Sequence, residues 1–150
     1  MINIALYQPD IPQNTAAIIR TCSCLNIRLE IIKPTGFILN DKKLDRIHLD
    51  YLENCQIIYH ESFEKFLEAK NHENIILFTT KSKKRYYKHK FKKEDTLLFG
   101  SESKGVHQKV HDKIIYKLNI PINTETRSLN LASSVAIGAS EALRQIHING

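Results

Sequence analysis

The sequence predicts an α/β protein in which a mostly parallel sheet is flanked by helices, organised as one domain over residues 1–150. The first observation is that strand-like apolar runs alternate with helical patterns along the whole chain. The second is that no repeat and no linker divides it. An apolar fraction of 42% in 150 residues is enough for a core that needs neither disulfides nor a metal ion.

The first part of the chain reads as a strand, a helix and a second strand. Residues 2–7 form an apolar run that ends at a proline-containing break, and a helix should extend from about Pro12 or Asn14 to Leu25. The second strand, Arg28–Lys33, is closed by Pro-Thr-Gly. The predicted apolar face of the helix consists of Ile18, Ile19, Cys22 and Leu25.

The middle of the chain continues this alternation. A polar helical turn is expected over Asp41–Ile47 and a short piece over Asp50–Leu52, followed by a third strand at Gln56–His60. Ser62 can cap the next helix, because its hydroxyl can accept a hydrogen bond from a free N–H at the helix start. The apolar residues of that helix are Phe63, Phe66 and Leu67.

The second half contributes three more strands and two helices. Strands are predicted at Asn74–Thr79, at Thr96–Phe99 and, after a short helix over 107–113, at Ile114–Leu118. A final helix is predicted up to Ile146.

The start of that last helix suits a polar ligand. Hydrogen-bonding side chains lie at 127–130, where the helix should begin with free N–H groups and a positive dipole end. One apolar stripe is formed by Leu131, Val135, Ala139, Ala142, Leu143 and Ile146. The same helix also has a surface of small residues, which would let another backbone come close in a packed knot of chain or in a symmetric dimer. These residues are Ala132, Ala136, Gly138, Ala139 and Ser140.

The net charge of +6 comes from one segment. Residues Lys81–Lys93, the basic segment, hold eight Lys or Arg and no acid, which leaves 14 basic against 16 acidic residues elsewhere. Tyr86, Tyr87 and Phe91 are interleaved with these charges, a composition that suits phosphate contacts with base stacking. A solvated lysine-rich loop is the alternative interpretation.

Several functional classes are not supported. No run of 18 apolar residues exists and the first residues already read as a strand, so we expect neither a membrane span nor a signal peptide. Cys22, Cys24 and Cys55 lack metal-ligand spacing, which indicates reduced thiols in a cytoplasmic protein. His107 and His111 could form one side of a zinc site, but no third ligand lies nearby, so no metal is expected.

Three loops with unusual residues follow predicted strands, at the edge where parallel sheets bind ligands. They are Asp10–Arg20, Gly100–Gly105 and Ile120–Asn130. The middle loop has a glycine at each end, and glycine permits positive φ and close approach of a backbone to a ligand. It is not a dinucleotide-binding fingerprint, because no G-x-G-x-x-G follows the first strand. It is not a P-loop either, because its second glycine is followed by Val106 rather than by a Lys-Ser/Thr pair.

Together these loops resemble the three-motif pattern of the SPOUT superfamily of RNA methyltransferases, over essentially the whole chain. The motifs are Asn14 with Arg20, then Phe99-Gly100-x-Glu102-x-x-Gly105, and finally Ser128-Leu129-Asn130-Leu131. The opening LYQPDIPQNTAAIIRTC, the PTGF at 34–37 and the absence of an added RNA-binding domain resemble one subfamily. That subfamily is the minimalist tRNA (cytidine/uridine-34-2′-O)-methyltransferases.

The resemblance implies S-adenosylmethionine as methyl donor and the wobble ribose of leucine tRNAs as substrate. It also implies a deep trefoil knot in the C-terminal half and an obligate homodimer. By resemblance, the cofactor should lie among Phe78, Gly100, Glu102, Gly105, Ile120, Ser128, Leu129 and Asn130.

The resemblance also assigns the reacting groups to Arg20, Asn14 and Ser128. A guanidinium is a poor base, so Arg20 is expected to hold the adjacent phosphate and stabilise the developing alkoxide. Asn14 should fix its loop or the substrate ribose, and Asn130 should hold the knot backbone. Glu102 could form a structural salt bridge or act directly.

RNA contacts are expected from Arg20 and from the basic segment, through Lys83, Lys84, Arg85 and Lys88. Two alternative functions are compatible with the same residues. One is a ribosomal RNA 2′-O-methyltransferase of the same superfamily, which usually carries an extra RNA-binding domain. The other is a catalytically silent RNA-binding dimer, against which the intact Asn14, Arg20 and Ser128 argue.

Overall fold

A computed structural model describes residues 1–38, 53–126 and 128–149. Strands and helices alternate in these ranges, as the sequence predicts. The strands are β1 Asn3–Tyr7, β2 Arg28–Ile32, β3 Ile57–His60, β4 Ile75–Phe78, β5 Thr96–Phe99 and β6 Tyr116–Leu118. The helices are α1 Pro12–Leu25, α2 Phe63–Glu68, α3 Gln108–Lys113 and α4 Leu131–Asn149. Single turns of 3₁₀ helix occur at His72–Asn74 and Tyr86–Lys88.

The six described strands form one sheet in the order β3-β2-β1-β5-β4-β6, and every neighbouring pair is parallel. The first three strands follow one another on one side of the sheet, from β1 to β3, and β4, β5 and β6 lie on the other side of β1. The order therefore reverses between β1 and β5. In open parallel sheets, ligands bind outside the carboxyl ends of the strands at such a reversal. The loops that follow Tyr7 and Phe99 begin at this point.

Helices cover both faces of the sheet, so the core has two layers. Residues of α1 and α4 pack on one face, around Leu6, Phe78 and Phe99. Residues of α2 and α3 pack on the other, around Tyr7 and Leu77. Because both faces are covered at the centre of the sheet, β1, β4 and β5 are buried at every residue rather than at alternate ones. The parallel α/β prediction is confirmed.

The helix signals in the sequence are largely confirmed. The Ser62 hydroxyl accepts a hydrogen bond from the Lys65 N–H at 3.1 Å. The stripe on α4 is buried from Leu131 to Ala142. Of the predicted apolar face of α1, Ile18, Ile19 and Cys22 are buried, whereas Leu25 is 42% exposed at the last residue of the helix, next to Asn26 in the left-handed region. The turn and short piece predicted within 41–52 lie outside the described residues.

The small-residue face of α4 packs differently from the prediction at Gly138. A Cβ at this position would lie 3.0 Å from Phe78 Cζ and 3.3 Å from Phe99 Cζ. The space left by the missing side chain is therefore filled by two aromatic rings rather than by another backbone. Gly138 lets α4 approach the sheet where Phe78 and Phe99 stack, with ring centroids 4.8 Å apart.

Two of the three free cysteines are buried and one is exposed. Cys22 and Cys55 lie in the core, whereas Cys24 points outward from the same helix as Cys22. Burial raises the pKa of the Cys22 thiol far above its usual range and that of Cys55 to about 11. Both buried thiols are therefore protonated and unreactive at neutral pH. Within the described residues, no helix has the length and apolar character needed to cross a bilayer.

Candidate active site

One cavity of about 440 Å³ lies at the carboxyl ends of β4 and β5. Its lining combines side chains from all three loops that the sequence singled out. It includes every residue predicted to hold the cofactor, namely Phe78, Gly100, Glu102, Gly105, Ile120, Ser128, Leu129 and Asn130. Asn14 lines it as well. Residues up to 116 positions apart in the chain, such as Asn14 and Asn130, meet at this point.

The glycine loop closes tightly on itself beside the cavity. Ser101 and Gly105 exchange two backbone hydrogen bonds of 2.8 Å, and a Cβ on Gly100 would lie 2.6 Å from the Gly105 carbonyl carbon. Gly105 has φ +64, while its own Cβ position meets nothing within 4 Å. Gly100 is thus required for closing the loop, and Gly105 is required for its backbone conformation.

Glu102 joins the glycine loop to the start of α1. Its carboxylate accepts hydrogen bonds from the backbone N–H groups of Asp10, at 3.2 Å, and Ile11, at 2.7 Å. Helix α1 has no side-chain cap of its own and no acidic residue in its first turn. Glu102 therefore supplies the negative charge that a helix start favours. Among the described residues, Glu102 contacts N–H groups, and the choice between a structural salt bridge and a direct role stays a prediction.

A chain of amide hydrogen bonds continues from Glu102 along the cavity wall. The Asn14 amide donates to Glu102 Oε2 at 3.4 Å, and the Asn130 amide donates to Asn14 Oδ1 at 3.0 Å. Asn130 Oδ1 in turn accepts from the Ser133 N–H at 3.2 Å, which caps α4. Asn14 therefore links the starts of two helices to the glycine loop.

Apolar side chains form another part of the cavity wall. Phe78 and Phe99 form its floor, and Ile120, Ile122 and Leu129 lie around it. Leu129 is 38% exposed, which is high for a leucine and leaves it available to cover a bound ring. The lining also includes Ile122, Thr79, Thr80 and Ser134, which no sequence motif indicated, although Ile122 lies within one of the three predicted loops.

Arg20 lies apart from the cavity lining. It is exposed on α1, six residues after Asn14, which is roughly 9 Å along the helix axis. Ser128 is exposed and lines the cavity. The structure therefore brings together two of the three predicted catalytic residues, and the roles of all three stay predictions.

The two histidines considered as zinc ligands make other contacts. His107 caps α3, where its Nδ1 accepts from the Lys109 N–H at 3.2 Å. His111 Nε2 lies 3.3 Å from the Thr79 hydroxyl. Burial, followed by Lys117 and Lys81, lowers the pKa of His111. Among the described residues, no cluster of three metal-ligating side chains occurs.

Comparisons with known proteins identify related chains. The chain matches the model of the SpoU rRNA Methylase family over residues 1–140. It is 38% identical to the tRNA (cytidine(34)-2'-O)-methyltransferase of Escherichia coli K12, over 100% of this chain and 97% of that protein.

Solved structures share the fold. One that concerns 2-OH methylation of C/U34 on tRNA has a TM-score of 0.90 and 39% identity, over 97% of this chain and 95% of that one. An AdoMet-bound rRNA methyltransferase from Sinorhizobium meliloti has a TM-score of 0.85 and 21% identity, over 95% of this chain and 56% of that one. The chain belongs to the SpoU rRNA Methylase family.

Proposed function

We propose that this protein transfers a methyl group from S-adenosylmethionine to the ribose 2′-OH of nucleotide 34, C or U, of tRNA. The observation that carries the proposal is the single cavity lined by all three motif loops. It occurs in a chain that aligns along its whole length with a relative named for this reaction.

The cavity suits the cofactor in size and in chemistry. Its volume of about 440 Å³ lies within the range of roughly 300–1,000 Å³ that is usual for small-molecule sites. The free space at Gly105 would let a ligand contact the loop backbone, and Ile120 and Leu129 would cover an adenine ring. When bound, S-adenosylmethionine supplies an electrophilic methyl carbon on its sulfonium, so the chemistry requires no metal ion.

The protein's own contribution would be to position groups and stabilise charge. Asn14 is held between Glu102 and Asn130, so its amide can orient a ribose without first being ordered itself. The Arg20 guanidinium would hold a neighbouring phosphate and offset the negative charge that develops on the hydroxyl oxygen.

Finer features rest on the resemblance alone. We propose that leucine tRNAs are the substrates, that the C-terminal half forms a deep trefoil knot, that two copies form a homodimer and that the protein is cytoplasmic. A ribosomal RNA substrate is the second candidate, because the matching family is described by that activity. The fraction of each relative's length that this chain covers favours tRNA. The chain covers 97% of the tRNA enzyme but 56% of the ribosomal enzyme.

The test is a methyl-transfer assay with labelled S-adenosylmethionine, offered total tRNA and ribosomal RNA separately. We expect label in tRNA, located at the ribose of nucleotide 34. A leucine tRNA with 2′-deoxyribose at position 34 is the matched control and should accept none. Label in ribosomal RNA would favour the second candidate, and RNA binding without label would indicate a silent binding protein.

A further inference from the structure

The basic segment is a fixed part of the fold. It connects the carboxyl end of β4 with the amino end of β5. The segment therefore runs from the side of the sheet where the strands end to the side where they begin. Near its start, the Ser82 hydroxyl donates to the Lys117 carbonyl at 2.7 Å. Asn119 then bonds the segment twice, donating to the Lys84 carbonyl at 2.8 Å and accepting from the Tyr86 N–H at 3.0 Å. These bonds attach the first half of the segment to β6 and to the residue that follows it.

Gln145 on α4 holds the second half. Its Oε1 accepts from the Phe91 N–H at 3.0 Å, and its Nε2 donates to the His89 carbonyl at 3.0 Å. The second hydrogen of the same amide goes to Glu141 Oε1 at 2.7 Å, so the hydrogen-bonding groups of Gln145 are satisfied. Phe91 is buried in the core between these bonds. The backbone of the segment is therefore attached to the fold, while its lysine side chains are exposed to solvent.

Four lysines of this ordered segment converge on one pocket. A cavity of about 360 Å³ is lined by Lys84, Lys88, Lys90 and Lys92, which we call the lysine pocket. Two carboxyl groups, those of Glu73 and Asp95, share its lining, so cations outnumber carboxyl groups two to one. Asp95 is buried and accepts from the Lys92 N–H at 2.8 Å, and burial raises its pKa.

Among the described residues, none of the four lysines forms an ion pair within 4.0 Å, since those pairs involve other cations. The charge of Lys92 acts on Asp95, so the two carboxyl groups of the lining offset only part of the positive charge. An excess of lysines around a concave surface raises the local concentration of anions. His89 also lines the pocket, and its pKa is lowered first by burial and then by Lys84 and Lys92.

The lysine pocket is separate from the candidate active site. Glu73 and Asp95 precede β4 and β5, and Tyr116, which also lines the pocket, begins β6. All three positions are amino ends of strands, whereas the other cavity lies at the carboxyl ends. The two sites are therefore about one strand length apart, roughly 13 Å for four residues.

We propose that the lysine pocket binds a backbone phosphate of the RNA substrate at a distance from the ribose that is methylated. The proposal rests on the proposed function for the identity of that RNA. A nucleic acid is favoured over a single small anion because Tyr87, next to Lys88, is 51% exposed and can stack on a base. Tyr86 and Phe91 cannot serve in this way, since they pack against the core.

The test compares two double variants with the same change in charge. Lys88→Gln/Lys92→Gln alters the pocket, and Lys65→Gln/Lys113→Gln alters exposed lysines of α2 and α3 on the opposite face of the sheet. Binding of a leucine tRNA transcript is measured by fluorescence anisotropy at several salt concentrations. We expect the pocket variant to bind about tenfold more weakly, with a salt slope flatter by roughly 0.7–0.9 for one phosphate contact, while the control changes about twofold at most.

A second measurement reports on the pocket itself. The His89 pKa, followed by NMR in the unaltered protein, should rise when the tRNA is added, because a bound phosphate offsets the repulsion from the lysines. Equal affinities and parallel slopes for the two variants would overturn the proposal. So would a His89 pKa that responds to inorganic phosphate but not to tRNA. Binding is measured without methyl transfer, so a failure of the proposed activity would be seen separately.

Discussion

The orientation of the Asn14 amide is determined by its neighbours. The Ser133 backbone N–H can only donate, so the atom it contacts must be the oxygen of Asn130. The Asn130 NH₂ group then donates to the Asn14 oxygen, and the Asn14 NH₂ group faces Glu102. A substrate would therefore meet a side chain whose donor and acceptor positions are fixed in advance.

Replacing Asn14 with Asp should break this chain of hydrogen bonds. The new carboxylate would lie beside the Glu102 carboxylate, where Asn14 now donates at 3.4 Å. We expect repulsion and the lost donor to lower the free energy of unfolding by about 1–3 kcal/mol. Methyl transfer should also fall. Gln13→Glu, at the exposed neighbouring position, adds the same charge and is the control. Equal unfolding curves for the two variants would contradict the role given to Asn14.

Gly100 should be intolerant of any side chain. In Gly100→Val, the Cβ would overlap the backbone of Gly105 at 2.6 Å, so the loop beside the cavity must open. We expect the Kd for S-adenosylmethionine to rise more than about tenfold, or 1.4 kcal/mol. Calorimetry measures this, with Lys104→Val at the exposed tip of the same loop as the control. Unchanged affinity would separate the loop from the cofactor site.

Arg20 should matter for methyl transfer but not for cofactor binding. It is outside the cavity lining, so Arg20→Ala should leave the Kd for S-adenosylmethionine unchanged. Loss of its charge should reduce methyl transfer to tRNA by more than about tenfold, which corresponds to 1.4 kcal/mol of transition-state stabilisation. The two measurements together separate a positioning or electrostatic role from a structural one. Activity above about a tenth of the parent value would show that the arginine is dispensable.

At the level of elements, the sequence predicted what depends on local pattern. The strands and helices were predicted because apolar periodicity and caps such as Ser62 are local signals. The partners of Glu102 were not predictable, because the start of α1 lies 91 or 92 residues away and reaches Glu102 only through the sheet order. The rings against Gly138 likewise come from two strands that the helix covers.

The end of α4 provides a pH-dependent contribution to stability. Arg144 forms two hydrogen bonds of 2.8 Å to Glu141, which also accepts one from Gln145. The Arg144 hydrogen bonds, opposed by partial burial and supported by Gln145, lower the pKa of Glu141 from 4.5 to about 2. Because the folded pKa lies below the unfolded one, this stabilisation is complete above the unfolded value and is lost as the pH falls toward 2.

Glu141→Gln should remove that dependence. The parent protein should be more stable than the variant at about pH 6, and the difference should shrink at about pH 3. Denaturant unfolding at both pH values measures the two free energies. The same substitution should loosen the basic segment, because Gln145 binds both Glu141 and the segment. A stability difference that is equal at both pH values would contradict the assigned cause.

At the scale of the molecule, charge and topology are arranged together. The basic segment carries eight cations and the rest of the chain has a balance of −2, from 14 basic and 16 acidic residues. These cations lie on the connection from β4 to β5. It runs from the carboxyl ends of the strands, where the candidate active site lies, to their amino ends. A bound RNA could therefore be held at two points, with the positive field extending between them.

The last prediction concerns association of two chains. Ala136 is half-buried in the described chain and belongs to the small-residue face of α4 that we expect at a subunit interface. Light scattering should give twice the chain mass of 17.4 kDa for the parent protein. Ala136→Arg should halve that mass, because it inserts a long charged side chain into a close contact. Ala69→Arg makes the same change at an exposed position after α2 and should leave the dimer intact. A parent protein with the mass of one chain, or an Ala136→Arg variant with the mass of two, would contradict this interface.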